Sequence, residues 1–226
     1  MIVAPRKYLK HLLHPSAFLK TVVFNIRYFG ILKGWRLPVF VYRHVRLKNM
    51  KGKIAMNGEL STGRVLLGFP HVPIFDEVRS RTVWNQIGGL IVFQGTAKIG
   101  HGSKLAVNGY LEIGDKFEIT AESTIIAYNR IVIEPNVLIS WDVLVMDTDF
   151  HRIYDENGKL CNEPEEIIIG AHSWIGCRVS ILKGVYISKN AIVASGSVVV
   201  KSLLSENAIY AGIPALMKGR YSFWDH

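Results

Sequence analysis

At 226 residues, 49% of them hydrophobic, the chain has material for one sizeable domain plus an extension. Its two cysteines, Cys161 and Cys177, exclude a disulfide framework and point to a reducing cytoplasm. No apolar run nears the roughly 18 residues that span a bilayer, and no apolar signal-peptide core follows Met1 to Lys7. The net charge of +9 is concentrated in the amino-terminal arm, where twelve basic residues and no acidic one precede Glu59. No nucleic-acid module frames these charges, so no nucleic-acid partner is expected.

In chain order, residues 5 to 13 and 15 to 29 read as two short helices separated by Pro15, which suits the first turn of the second. Phe18, Leu19, Val22, Val23, Ile26 and Phe29 fall on one face of the second helix, with Gly30 at its stop. Two readings follow: the apolar face packs on the body of the protein, or the basic arm also leans on an anionic membrane at the inner face. The arm is assigned residues 1–44, the main domain 45–204 and a capping segment 205–226. Leu37 to Val45 leads into the domain, while residues 69 to 82, with Pro70 and Pro73, are expected to form a loop. His101 and Gly95 fall where an aliphatic residue would fit the pattern better.

The dominant signal is a six-residue step. Ile113, Ile119, Ile125, Ile131, Val137 and Val143 keep it, and it resumes at Ile169, Ile175, Ile181, Ile187, Val193 and Val199. Neither the 3.6-residue helical period nor a short strand alternation holds that step for so long. The expected fold is therefore an all-β solenoid, a parallel β-helix in which three hexads make one triangular coil and coils stack at about 4.8 Å. A second inward position lies two before each step residue, as at Phe117, Ser123, Ser173, Val179, Val185, Ala191 and Ser197. Gly114, Gly170, Gly176, Gly184 and Gly196 mark corners, where tight turns favour a residue without Cβ. Between Val143 and Ile169 the step is broken by one extruded loop, residues 147–168, with Tyr154 to Lys159 as the turn at its tip. The aromatic tail, with Tyr221, Phe223 and Trp224, is expected to cover the end of the solenoid.

The runs Ile113 to Phe117, Ile169 to Gly176 and Val193 to Lys201 resemble the hexapeptide-repeat acyltransferases, and Trp174-Ile175-Gly176 with Gly212-Ile213-Pro214-Ala215 resembles the sugar O-acetyltransferases among them. The resemblance covers roughly residues 52 to 219. It implies a left-handed parallel β-helix, a homotrimer with sites between subunits, acetyl-CoA as acyl donor, and a hydroxyl of a cell-surface saccharide or its precursor as acceptor.

His151 is the candidate general base, because a hydroxyl attacking a thioester needs a base that works near neutral pH. Its place in the loop matches the family's catalytic histidine. Asp147 and Asp149 are candidates to orient its ring, and Asp142 is a further alternative. By the resemblance, Trp174, Cys177, Ser195, Val200 and Lys201 would line the donor groove. Leu216 stands where the family often has an arginine, so Lys218 or Arg220 would take its place against a CoA phosphate. No asparagine near Thr120 matches the acceptor contact of some family members. Cys177 reads as a small corner residue rather than a covalent nucleophile. Two other functions compete: a non-catalytic scaffold, and a zinc enzyme drawing on His101, His151 and His172.

Overall fold

The computed structural model describes residues 6–69, 72–76 and 78–225; Pro5 and Pro70 lie outside them. Short strands build the three faces of a prism. One sheet runs from Val39–Val41 to Ala208–Ala211, the second from Arg46–Met50 to Val198–Val199, and the third from Lys53–Met56 to Tyr186–Ile187. Successive coils pair parallel throughout, and Leu216–Arg220 closes the first sheet antiparallel. This is the parallel β-helix expected from the repeat. It starts at Val39, ahead of the boundary expected at 45, and its last parallel strand ends at Ala211.

All twelve step residues point into the prism at 2% exposure or less, as do Phe117, Val179, Val185 and Ala191 in the second inward column. Each apolar side chain rests on the equivalent residue of the next coil, so burial and strand pairing reinforce each other.

The coil length departs from three hexads. Above the loop, Ile168 pairs with Tyr186 and Trp174 with Ile192, a repeat of 18 residues; below it, Tyr110 pairs with Arg130 and Glu118 with Leu138, a repeat of 20. The surplus lies between the second and third sheets, at Gly88-Gly89, Asn108-Gly109 and Tyr128-Asn129. The step from Ile113 to Val143 therefore drifts from one inward column to the other: Ile113 stacks under Ile133, and Ile131 over Leu111. Both columns face inward, which hid the drift from a hydrophobic count.

The corners are also made differently from the expectation. Gly184 and Gly196 do adopt positive φ, but at most corners the left-handed residue is not glycine: Lys116, Asn136, His172, Asn190 and Asn207 on one edge, Glu122, Asp142 and Arg178 on another. Gly114 and Gly170 are needed for close approach instead, since a Cβ would sit 2.4 Å from backbone atoms of the next coil.

The long helix Pro15–Gly34 packs on the solenoid with a face other than the one its apolar residues suggested. Ala17, Thr21, Phe24 and Asn25 are buried, while Phe18, Leu19 and Val23 are exposed. The reason is the free edge of Val39–Val41, whose other side pairs with Val65–Phe69. Asn25 Nδ2 donates to Val39 O at 2.7 Å and its Oδ1 accepts Val39 N–H at 3.0 Å, and Thr21 Oγ1 accepts Val41 N–H at 2.9 Å. Two polar side chains thus stand in for a missing strand and close the edge against further pairing. At Gly30 the helix kinks, with φ 73°.

At the other end Leu216–Arg220 covers Ala208–Ala211, and the residues after it run down one edge of the prism. Tyr221 N–H donates to Asn207 O at 3.1 Å, its hydroxyl to Asn190 O at 2.5 Å, and Trp224 Nε1 to His172 O at 3.1 Å. The tail therefore caps the end with a strand and straps three stacked corners with its aromatics; Phe223 stays exposed.

Asn25→Ala is expected to lower stability by about 2 kcal/mol in urea unfolding, because it orphans buried backbone groups of the edge strand. Phe18→Ala, on the exposed face, should cost less than about 0.5 kcal/mol.

Candidate functional site

The winding is interrupted between Leu144–Met146 and Ile167–Ile169. At the loop base Glu165 N–H donates to Asp147 O at 3.1 Å. The tip is a small hairpin in which Tyr154 bridges Leu160, Asp155 Oδ1 accepts the N–H groups of Asn157 and Lys159, both at 2.9 Å, and Gly158 takes φ 75°. The turn expected at Tyr154 to Lys159 is there.

His151 is exposed and lines a recess of about 390 Å³ with Thr148, Asp149, Leu160 and Asn162. Its ring has no hydrogen-bond partner among the described residues, while its backbone is fixed at both ends: its N–H donates to Asp149 O at 2.7 Å and its carbonyl accepts from Asn162 Nδ2 at 2.8 Å. Phe150, just before it, has φ 61°, in the left-handed region that a bulky side chain disfavours. Its ring meets Tyr128 edge-on at 5.1 Å. A constrained backbone beneath an unconstrained imidazole is the arrangement of a presented side chain.

Neither expected carboxylate reaches that ring. Asp147 is fully buried and accepts the backbone N–H groups of Tyr128 and Asn129, each at 2.8 Å. Burial pushes its carboxyl up despite those bonds, so loss of solvent outweighs them. Asp149 faces Lys183 Nζ at 2.6 Å and Asn162 Nδ2 at 3.0 Å, and the ammonium first, then the amide, hold its carboxyl below the usual range. Both acids brace the loop. Asp142 lies 4.0 Å from Arg178, on another edge.

The donor candidates fall on two edges of the second sheet. Trp174, Cys177 and Ser195 stand toward its junction with the first sheet, where Cys177 Sγ lies 3.3 Å from Ser195 Oγ and Trp174 Nε1 donates to Ser140 Oγ at 3.2 Å. Val200 and Lys201 stand at its junction with the third, the edge that also carries the His151 loop, and both are exposed. Lys218 is exposed on the capping strand Leu216–Arg220.

The three histidines weighed for zinc are kept apart. His101 is buried beside Phe75, His172 stacks on Trp224 at 4.5 Å, and His151 is on the loop. Among the described residues no group of three or more His, Cys, Asp or Glu is placed to hold a metal ion.

The sequence reading missed Tyr128, Asn129, Asn162 and Lys183, which hold the loop. Lys183 joins its two sides, binding Asp149 at the start and Glu163 O at 3.1 Å near the end. Tyr128 and Asn129 are the two surplus residues of the coil below, and Asn129 Nδ2 also donates to Pro164 O at 3.3 Å. The signal that could have exposed them is the spacing from Ile125 to Ile133, two longer than a hexad.

No family model matches the chain. Over 107 residues it is 35% identical to galactoside O-acetyltransferase of Escherichia coli K12, which covers 46% of this chain and 51% of that protein. Over 64 residues it is 39% identical to polysialic acid O-acetyltransferase of Neisseria meningitidis, 28% of this chain and 30% of that one. The chain spans about half the length of the first curated relatives it matches. Among solved structures, the polySia-specific acetyltransferase NeuO aligns with a TM-score of 0.49 at 22% identity, over 80% of this chain and 72% of that one. In its six-residue repeat and triangular coils, and over these stretches of 46% and 28% of its length, the chain is similar to proteins named as saccharide O-acetyltransferases.

Proposed function

We propose that this protein transfers an acetyl group from acetyl-CoA to a hydroxyl of a saccharide, with His151 as general base. The observation that carries the reading is the exposed imidazole, without a hydrogen-bond partner among the described residues, on the loop extruded between Leu144–Met146 and Ile167–Ile169, lining a recess and anchored through its backbone. The relatives named as saccharide O-acetyltransferases support the acceptor class.

In the proposed step the His151 imidazole takes the proton of the acceptor hydroxyl as its oxygen attacks the thioester carbonyl carbon. The carbon–sulfur bond then breaks, and the CoA thiolate leaves with the proton returned by the imidazolium. Transfer is direct. Cys177 Sγ meets a hydroxyl, Ser195 Oγ, rather than a base, so it is not assigned as an acyl carrier.

The residues present suit a CoA thioester in kind: Trp174 and Val200 offer exposed apolar surface, and Lys201 and Lys218 offer exposed cations for phosphate. Trp174 and the Val200-Lys201 pair stand at opposite edges of the second sheet of one chain, with Lys218 on the capping strand. A donor that meets both sets while reaching His151 would lie between two copies, and this favours the homotrimer implied by the family.

In this reading Asp149, Asn162 and Lys183 are positioning residues, holding the loop that presents His151. The linkage has a definite sign. Lys183 holds the Asp149 carboxyl below its usual range, so the tie is fully present above the ordinary carboxylate pKa of about 4 and is lost as pH falls through the depressed value.

His151→Ala should leave the melting curve unchanged and remove most thioester consumption, about 100-fold or more, with a saccharide acceptor; a folded variant with full turnover would overturn the assignment. Lys183→Met should change global stability by less than about 1 kcal/mol. It should also lower hydrogen-exchange protection across residues 149–163, to the level the native protein reaches only in acid.

A further inference from the structure

We propose that the corners joining the third sheet to the first in three successive coils form a binding site for an acidic saccharide unit, its carboxylate on Arg64 and its hydroxyls on Asp115. The corners are residues 57–64, 94–96 and 114–116. They stand on a different edge of the prism from the His151 loop, which leaves the second sheet and returns in the third. Binding there goes beyond acetyl transfer and does not depend on it.

The three corners line a recess of about 320 Å³ with Asn57, Ser61, Arg64, Gln94, Thr96 and Asp115, at the small end of the range for ligand pockets. Arg64 is 8% exposed, and a charged side chain is rarely buried so far without a partner of opposite sign. Its Nη1 donates to Asn57 O and Glu59 O, both at 2.8 Å, while its Nε and Nη2 have no acceptor and no ion-pair partner among the described residues. That unused side of the guanidinium carries the parallel N–H groups that match a carboxylate. Ser61, equally buried, adds a hydroxyl with no partner among the described residues.

Asp115 supplies the complementary chemistry. Its Oδ1 accepts the N–H and the hydroxyl of Thr96 at 2.7 and 3.0 Å, and Gly95 permits that approach, since a Cβ there would sit 2.0 Å from Oδ1. Burial pushes its carboxyl up, but Thr96 first and then Lys116 hold it below the usual range, so it meets the recess as an anion that only accepts hydrogen bonds. Asn57 Nδ2 donates to Gln94 Oε1, and Gln94 Nε2 to Glu112 Oε1 at 2.6 Å, which fixes two amides of the lining. An inorganic anion would gain from Arg64 and be repelled by Asp115, and a neutral polyol would leave the buried guanidinium uncompensated. A sugar unit bearing both a carboxylate and hydroxyls uses both groups.

The test is calorimetric titration of the full chain, at physiological ionic strength, with tetragalacturonate, with neutral maltotetraose and with inorganic phosphate. Tetragalacturonate is expected to bind, and the other two to bind at least about 10-fold more weakly. Arg64→Gln should weaken tetragalacturonate about 10-fold or more, as loss of a charge-assisted pair does. Should that variant fail to fold, Asn57→Asp, at an exposed position lining the recess, puts a carboxylate there and should weaken binding comparably. Binding left intact in a folded variant would move the polyanion to other cations of the chain and overturn the site. Equal binding of maltotetraose or of phosphate would overturn the choice of an acidic saccharide, and absence of tetragalacturonate binding would end it. Acetyl transfer does not enter any of these readouts.

Discussion

The rest of the molecule depends on one constraint: each coil must present its inward side chains directly beneath those of the next while its strand hydrogen-bonds to the same neighbour. Ile119 under Ile139 and Ile139 under Ile175 show the condition being met along one face. Stacking of this kind tolerates change in corner length, because a corner lies outside both the core and the ladder. It does not tolerate an uncovered end, which is why a helix and an antiparallel strand with its tail occupy the two termini.

In the proposed reading the candidate base, His151, is carried on an insertion between Leu144–Met146 and Ile167–Ile169 rather than on a flat face of the solenoid. The insertion has to be held by something other than the ladder. Here the work falls to Asp147, Asp149, Asn162 and Lys183, which bind backbone or one another and leave the imidazole untouched. Acids that would be recruited to the ring in a triad are used as struts.

Repeat, inward columns, loop and hairpin tip were legible in the sequence, because they rest on hydrophobic spacing and turn residues. The orientation of the long helix was not. Its apolar stripe suggested Phe18, Leu19 and Val23 as the packed face, and the deciding contacts were hydrogen bonds from Thr21 and Asn25 to an edge that no local pattern announces. Coil length was obscured for a related reason: with two inward columns two residues apart, a surplus of two residues shifts the step from one column to the other and leaves it intact. His151 could be singled out by its chemistry and place, but the residues bracing it come from Tyr128-Asn129 on the coil below and Lys183 on the coil above, and their proximity arises only on winding.

The surplus at Tyr128-Asn129 has a geometric consequence. Because the corner just below the loop is two residues longer than the corner above it, Tyr128 and Asn129 form a sill under the loop. Asp147 grips the amides of that sill, Phe150 leans on its tyrosine ring and Pro164 rests on its asparagine. The elevation of the imidazole above the prism wall is thereby dictated by a change of gauge in the winding beneath it, so shortening that corner by its two residues would lower the ring without altering a single residue of the loop.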